Sequence, residues 1–312
     1  MSGRAPIRFG VAGTNYLDSL DAITELARRA EGTGFSSLTV NDHVFSPLAP
    51  LPVLTAAAVA TTTLKLGTLV LANDFRQPVM LAKEAATIDA LSGGRLELGI
   101  GAGWADVDYR TLGMAQAPAG VRIGRTREAI EICRGAWAGE RFDFTGQHYR
   151  VRGLEGTPRP THGTIPICIG GGGRRVLTLA AREADIVGIN LSFASGQMGG
   201  AAATTGTEEL TRERVAWVAD AAADAGRTVE LQCRVHTATV TDDPDPVIES
   251  AANSQDLTPA QVQASPHNLV GSTAEITDKI HRFADELGLT YWVIPHEAAS
   301  DFVPVVEALA ES

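Results

Sequence analysis

Short runs of apolar residues alternate along this chain with longer stretches in which apolar positions recur at helical spacing. Eight runs are typical of strands, at residues 7–12, 37–40, 64–71, 96–100, 165–169, 185–191, 229–240 and 291–295. Most of them are continuously apolar, as parallel strands are when both faces of their sheet are covered. Because helical and strand patterns alternate, the chain is predicted to have an α/β fold.

Helical patterns follow nearly all of these runs. In residues 17–31, for example, Leu20, Ile23, Leu26 and Ala30 recur every three or four positions. The other predicted helices cover residues 55–60, 79–91, 125–137, 208–225, 274–287 and 302–310. The count of eight strands, and the lack of a dinucleotide-binding glycine motif after the first, favour a closed (β/α)₈ TIM barrel over a doubly wound sheet.

The length fits one barrel domain. A TIM barrel takes roughly 250 residues, and this chain has 312, so we expect a single domain over residues 1–312. Residues 104–164 break the rhythm with a helix and a hairpin (141–144 and 148–151), and we interpret them as an insertion. The glycine-rich residues 194–206 are predicted to be a mobile loop, either a lid over the site or a tolerated surface insertion. Residues 242–266 are predicted to be a short helix with loops.

Composition and charge remove several classes of partner. The net charge of −11 argues against nucleic acid or an anionic membrane, since both need a basic face. The three cysteines, Cys133, Cys168 and Cys233, lie far apart without a CxxC pair, so we expect neither a metal site nor a disulfide framework. No membrane span or signal peptide is predicted, which makes the cytoplasm the simplest compartment.

The most specific local feature is a glycine run after the fifth predicted strand. Gly170, Gly171, Gly172 and Gly173 are followed by Arg174 and a helical pattern. Glycines let the backbone approach a ligand closely, and the free N–H groups at a helix start point towards an anion. The run therefore predicts a phosphate site, without specifying which cofactor carries the phosphate.

Two further strand ends carry candidate chemistry, because in a barrel the loops after the strands form the active-site face. Asp42 and His43 follow the second strand, where the histidine is a candidate acid or base. After the fourth strand, the glycines of residues 99–103 suggest close approach of the backbone to a flat ring, and Trp104 either stacks on that ring or fills the core. Arg95, at the opposite end of the same strand, is expected to serve stability.

Together these segments resemble the bacterial luciferase-like family, specifically its branch that uses the deazaflavin coenzyme F420. The resemblance spans nearly the whole chain. The combination of the helix ending at 86–95 with the corner at 98–104 is specific. The matching segments are residues 41–43, 78–83, 86–95, 98–104, 166–173, 180–185 and 270–276.

The resemblance implies where a cofactor would bind. The ring would lie in the barrel mouth over a non-proline cis peptide bond between Leu69 and Val70, with His43 beside it as the catalytic residue and Asp42 at its polar pyrimidine edge. The corner made by Ala102, Gly103 and Trp104 would also contact the cofactor. The phosphate would bind to residues 170–174, with Asn190 on the same side. These positions are predictions carried over from the family.

One departure from the family bears on the substrate. The sugar-phosphate dehydrogenases of this branch carry a proton-donating glutamate where this chain has Trp104, which implies a less polar substrate here. We therefore predict an F420-dependent oxidoreductase that transfers a hydride to or from a weakly polar small molecule. The family also implies a homodimer paired through barrel-side helices.

Two other functions remain open at the level of sequence. The first is a two-component monooxygenase that uses FMN, reduced by a separate reductase, and oxygen. The second is a cofactor-binding protein without turnover. The Asp42–His43 pair favours the F420 branch over FMN, but the glycine run suits either cofactor because both carry a phosphate.

Overall fold

The computed structural model describes residues 6–13, 18–197 and 199–310. Its strands are β1 (Arg8–Gly13), β2 (Ser37–Val40), β3 (Lys65–Thr68), β4 (Leu71–Ala72), β5 (Leu96–Gly101), β6 (Arg141–Thr145), β7 (Arg150–Glu155), β8 (Ile167–Gly171), β9 (Ile186–Ile189), β10 (Glu230–Arg234), β11 (Thr237–Val240), β12 (Asn268–Gly271) and β13 (Leu289–Pro295).

The helices lie mainly between these strands. They are α1 (Leu20–Gly32), α2 (Pro50–Ala60), α3 (Pro78–Ser92), α4 (Asp106–Thr111), α5 (Ala119–Trp137), α6 (Arg174–Glu183), α7 (Gly200–Ala203), α8 (Glu208–Asp224), α9 (Asp245–Gln255), α10 (Pro259–Ala264), α11 (Thr273–Leu287) and α12 (Val303–Ala310). Among the described residues, no helix combines the length and the apolar character needed to cross a membrane.

The largest sheet is a closed ring of parallel strands. Its neighbours follow the order β3-β2-β1-β13-β10-β9-β8-β5, and β5 pairs back onto β3. The predicted (β/α)₈ barrel is therefore confirmed. Side chains from the strands and the surrounding helices form its main hydrophobic core, as expected for parallel strands covered on both faces.

Local sequence signals explain where several helices begin and end. Ser19 caps α1 by accepting the N–H of Ala22, and Ser272 forms a capping box with Glu275 at the start of α11. The end of α3 falls at Gly93, whose φ of 69° is the left-handed conformation that glycine adopts without steric cost.

The apolar run at 229–240 does not form one strand, so that prediction was wrong. β10 ends at Arg234, and β11 pairs in parallel with β12 outside the barrel. The N–H groups of His236 and Thr237 both donate to the carbonyl of His267, which fixes the turn. Periodicity missed the break because both halves are apolar, and a change of partner strand leaves no mark on local pattern.

The segment after β11 also holds more helix than predicted. Residues 242–266 contain two helices, α9 and α10, instead of one short helix with loops. The two helices pack against each other around Ile248, Ala252 and Val262, which form a small separate apolar cluster.

The region at 104–164 contains one regular element of the barrel. α5 begins at Ala119, earlier than predicted, and it packs against α3 and α6 in the outer ring of helices. Only α4 and the antiparallel hairpin of β6 and β7 depart from the strand–helix alternation. The predicted loop at 194–206 includes α7, and Met198 lies outside the described residues. The mobility of the loop at 194–206 and the single-domain boundaries stay predictions.

Arg95 has the structural role expected of the amino-terminal face of the barrel. It is only 8% exposed and donates five hydrogen bonds, to the carbonyls of Ser92, Leu64, Ala58 and Thr61 and to the Thr61 hydroxyl. The guanidinium thereby satisfies carbonyls at the ends of α2 and α3 and in the loop before β3.

We expect Arg95→Lys to lower the free energy of unfolding by about 3 kcal/mol, because an ammonium group cannot reach all these acceptors and buried carbonyls lose their partners. Urea denaturation monitored by circular dichroism measures the change. Arg29→Lys is the control, since Arg29 pairs with Glu25 on the exposed face of α1 and should change stability by less than about 0.5 kcal/mol. Equal effects of the two substitutions would contradict the structural role of Arg95.

Candidate active site

A cavity opens at the carboxyl ends of the barrel strands, where barrel active sites lie. Backbone and side chains from five successive strand ends line it. They are Asn41, Asp42, His43, Leu69, Val70, Leu71, Ala72, Phe75, Gly103, Trp104, Ala105, Asp108, Gly170, Gly171, Asn190 and Phe193.

The floor of the cavity is the irregular end of the third barrel strand. β3 stops at Thr68, the Leu69–Val70 peptide bond is cis as predicted, and β4 resumes pairing with β5 at Leu71. The segment predicted as one strand, residues 64–71, is therefore interrupted by a bulge. Leu69 and Val70 both line the cavity.

The glycines of β5 make room for this bulge. A Cβ at Gly99 would lie 1.8 Å from the Thr68 carbonyl oxygen, and one at Gly101 would lie 2.7 Å from Cγ2 of Val70. The sequence interpretation, which assigned these glycines to close approach of a flat ring, was wrong for both. Their lack of a side chain is required by the neighbouring strand.

Asp42 ties the bulge to the second strand. Its carboxylate accepts two hydrogen bonds from Arg76, at 2.5 and 2.8 Å, and a third from the backbone N–H of Ala72 at 2.9 Å. Its side chain is 8% exposed. Both oxygens are thus held by the protein, although the residue lines the cavity. Its contact with a cofactor edge stays a prediction.

His43 is paired with Asp108, a residue that the sequence did not single out. Nδ1 of His43 lies 2.7 Å from Oδ2 of Asp108, and the other carboxylate oxygen accepts the Val44 N–H at 3.0 Å. The exposed fractions are 13% for the His43 side chain and 3% for that of Asp108. The available signal was an acidic residue four positions after Trp104, but an acid on a short helix indicates nothing about its partner.

Aromatic rings form one wall of the cavity. The rings of Trp104 and Phe193 stack with centroids 4.4 Å apart, and the Trp104 ring meets His43 edge-on at 5.5 Å. Phe45 stacks on the other side of His43 at 4.8 Å. Trp104 is thus part of the cavity wall and is not core filling. Phe193 was not identified from sequence because residues 191–199 carry no regular pattern.

The glycine run divides between the cavity and its rim. Gly170 and Gly171 line the cavity. Gly172 is buried, where an added Cβ would lie 2.4 Å from the Leu191 carbonyl oxygen. Gly173 caps α6 with open space around it, and Arg174 is exposed. Ala102 is also absent from the cavity wall, although it adjoins Gly103, which lines it.

The amide nitrogen of Asn190 is the atom of this side chain that can donate a hydrogen bond into the cavity. Its Oδ1 accepts hydrogen bonds from the Leu191 N–H at 2.8 Å and from Nε2 of His236 at 2.9 Å. With the oxygen occupied on both sides, the amide NH₂ is the group free to donate to a ligand.

The fold and this cavity define a (β/α)₈ barrel enzyme with an aromatic-walled site over a cis-peptide bulge and a histidine held by a buried carboxylate. The chain belongs to the luciferase-like monooxygenase family, whose model matches residues 2–291. The resemblance inferred from sequence is therefore confirmed. The chain is 32% identical over 299 residues to the F420-dependent glucose-6-phosphate dehydrogenase of Nocardia farcinica (strain IFM 10152). The matched region covers 92% of this chain and 84% of the relative.

Solved structures show the same fold. The coenzyme F420-dependent tetrahydromethanopterin reductase of Methanopyrus kandleri superposes with a TM-score of 0.79 and 19% identity, over 98% of this chain and 100% of the other. An F420-dependent secondary alcohol dehydrogenase, in complex with an F420–acetone adduct, gives a TM-score of 0.76 and 20% identity, over 98% and 99% of the two chains. At these identities the likeness concerns the fold alone.

Proposed function

We propose that this protein is an oxidoreductase that transfers a hydride between coenzyme F420 and a small, weakly polar organic substrate. The observation that carries the proposal is that one cavity gathers His43, Trp104 and the Leu69–Val70 bulge. Sequence relatives named as F420-dependent dehydrogenases support the choice of cofactor.

The residues present fit such a cofactor. A flat ring would rest on Leu69 and Val70, beside Gly170 and Gly171, which project no side chains into the cavity. Gly103 and Trp104 would border the ring, and Asp42 would face its polar edge. When bound, F420 supplies a carbon that accepts or gives up a hydride, and the protein orients the reactants around it.

The phosphate is assigned to the rim next to the glycine run. The first N–H groups of α6 have no carbonyl partner within the helix, and its N-terminus carries a partial positive charge. Gly173 leaves open space at this point, and Arg174 is exposed beside it. Gly172 would contribute by setting the course of the backbone, and the Asn190 amide would donate from the cavity side.

His43 is assigned proton transfer. In the oxidation of an alcohol, the imidazole ring of His43 would accept the hydroxyl proton. The carbon-bound hydrogen would leave as a hydride, and the carbonyl bond would form. In the reverse direction, the protonated ring returns that proton to the oxygen. An imidazole ring suits both roles because its nitrogens can accept a proton in one state and donate it in the other.

The wall made by Trp104 and Phe193 favours apolar substrates. Neither side chain offers a charge to a sugar phosphate, and the resemblance to the family implies that Trp104 takes the position of a glutamate in the sugar-phosphate dehydrogenases of the branch. Burial of apolar surface against these rings would supply the binding free energy. A separate reductase would supply reduced cofactor when the enzyme acts as a reductase.

We expect F420 to bind more tightly than FMN, which a titration of cofactor fluorescence measures.

Gly173→Asp should weaken F420 binding about tenfold or more, because a carboxylate at the α6 N-terminus repels the phosphate. The matched control is Gly173→Asn, which has the same shape without the charge and should bind nearly as well as the wild type. The deazaflavin chromophore lacking its phosphate should not distinguish the two variants.

Tighter binding of FMN than of F420 would overturn the proposal in favour of the two-component monooxygenase. An equal loss of F420 affinity in Gly173→Asp and Gly173→Asn would instead show that the phosphate does not bind at the α6 N-terminus.

We expect secondary alcohols of increasing apolar size to be oxidised with rising kcat/KM, by about fourfold for each methylene group buried. Isopropanol, cyclohexanol and 2-octanol, assayed by the change in F420 absorbance, provide the series. Trp104→Ala should flatten the dependence on size, whereas Trp104→Phe should keep most of it. Preferential oxidation of glucose 6-phosphate by the wild-type enzyme would contradict the assignment of substrate class.

We further propose that the protein forms a homodimer through α2 and α3. These neighbouring helices carry the exposed apolar side chains Val59, 84% exposed, and Met80, 53% exposed, and α2 has no charged residue. Burial of these side chains between two copies of the chain would contribute to pairing. Light scattering should give twice the chain mass of 32.8 kDa, and Val59→Glu should shift it to the monomer. A monomeric wild type would overturn this assignment.

We place the enzyme in the cytoplasm. All three cysteines are free and buried, which suits a reducing compartment, where disulfides are rare.

A further inference from the structure

We propose that Asp108 is a positioning residue that fixes His43 in the tautomer with its hydrogen on Nδ1. In that tautomer Nε2 is the ring atom that carries the lone pair and can accept a proton from a substrate. The inference rests on the proposed function for its chemical purpose, but its structural content can be tested without cofactor or substrate.

The geometry leaves the carboxylate two defined tasks. One oxygen of Asp108 lies 2.7 Å from Nδ1 of His43, and the other accepts the N–H of Val44 at 3.0 Å. A carboxylate only accepts hydrogen bonds, so Nδ1 must be the donor. Because a neutral imidazole has one N–H, Nε2 is left without hydrogen.

The nearest alternative carboxylate does not compete for the ring. Asp42 precedes His43 in the chain, but its oxygens already accept hydrogen bonds from Arg76 and from the Ala72 N–H. Asp108 is therefore the acid that faces Nδ1, and it comes from α4, outside the regular strand–helix alternation.

The ring and the helix are both held in place. Phe45 stacks on His43, and Trp104 meets it edge-on, which opposes rotation of the ring. At the start of α4, the Asp106 N–H donates to the Gly196 carbonyl at 3.1 Å. The Tyr109 hydroxyl of the same helix donates to Asp74 at 3.2 Å.

This arrangement serves proton transfer in a defined way. In the oxidation of an alcohol, Nε2 would accept the hydroxyl proton as the carbonyl double bond forms, and a bound F420 would supply the acceptor for the carbon-bound hydrogen and its electron pair. The ring becomes an imidazolium, whose positive charge the Asp108 carboxylate stabilises. The opposite tautomer would present an N–H where a proton acceptor is needed.

Asp108→Asn tests the inference with little change in shape. The amide oxygen can still accept the Val44 N–H, while its NH₂ group then faces Nδ1 and makes that nitrogen an acceptor. We therefore expect the His43 hydrogen to move from Nδ1 to Nε2. Long-range ¹H–¹⁵N correlation spectra of the cofactor-free protein, at a pH where the ring is neutral, report the tautomer, and the His43→Gln spectrum assigns the signals.

The matched control is Asp89→Asn. Asp89 is another buried aspartate, as little exposed as Asp108, and it accepts the Thr161 N–H at 2.7 Å near the end of α3. Its loss removes a buried structural carboxylate far from His43. The His43 tautomer should be unchanged in Asp89→Asn.

Turnover of cyclohexanol gives the second measurement. We expect kcat to fall about 100-fold in Asp108→Asn, with KM within about threefold of the wild type, because the change affects proton transfer and not binding. Asp89→Asn should stay within about twofold in both constants. A parallel loss in the two variants would reduce Asp108 to a structural acid and overturn the proposal.

The spectrum of the wild-type protein by itself also tests the position of the His43 hydrogen. A His43 ring with its hydrogen on Nε2 in the wild-type protein would overturn the inference, even if Asp108→Asn failed to fold. If the wild-type protein has its His43 hydrogen on Nδ1 but does not bind F420, the proposed function is overturned. The positioning role of Asp108 would still stand.

Discussion

The site depends on the interruption of the third barrel strand. Where β3 stops at Thr68, the chain crosses the mouth through the cis Leu69–Val70 bond before β4 resumes. This path requires space in the neighbouring strand and an anchor on the other side. Gly99 provides the space, since any side chain there would collide with the Thr68 carbonyl, and Asp42 provides the anchor through the Ala72 N–H. The apolar floor of the cavity follows from these two constraints.

The opposite wall is built by segments that leave the regular alternation. The loop after β5 carries Trp104 to the cavity and then enters α4, whose Asp108 reaches back to His43 at the end of β2. The loop after β9 brings Phe193 onto Trp104. The barrel therefore supplies a rigid frame, and irregular segments complete the chemistry, because strand ends alone leave the mouth open.

Several parts of the site could be predicted because they are local in the chain. The glycine run, Asp42, His43 and Trp104 each follow a strand pattern, and parallel strands bring their carboxyl ends to one face. Partners distant in sequence could not be predicted in this way. Asp42 and His43 look like a pair, yet the structure separates them, with Arg76 on one and Asp108 on the other. The glycines of β5 were misassigned for the same reason, since the group that needs their space belongs to another strand.

The sequence by itself determined the barrel, its strand count and the face on which a site would lie, because hydrophobic periodicity and chain order are local properties that parallel topology converts into position. Only the tertiary structure decided that residues 229–240 divide between two sheets, that α5 belongs to the barrel, and that Asp108 holds the His43 ring. Each of these depends on which groups meet across long separations in the chain. Their energies come from packing and hydrogen bonds that no single segment contains.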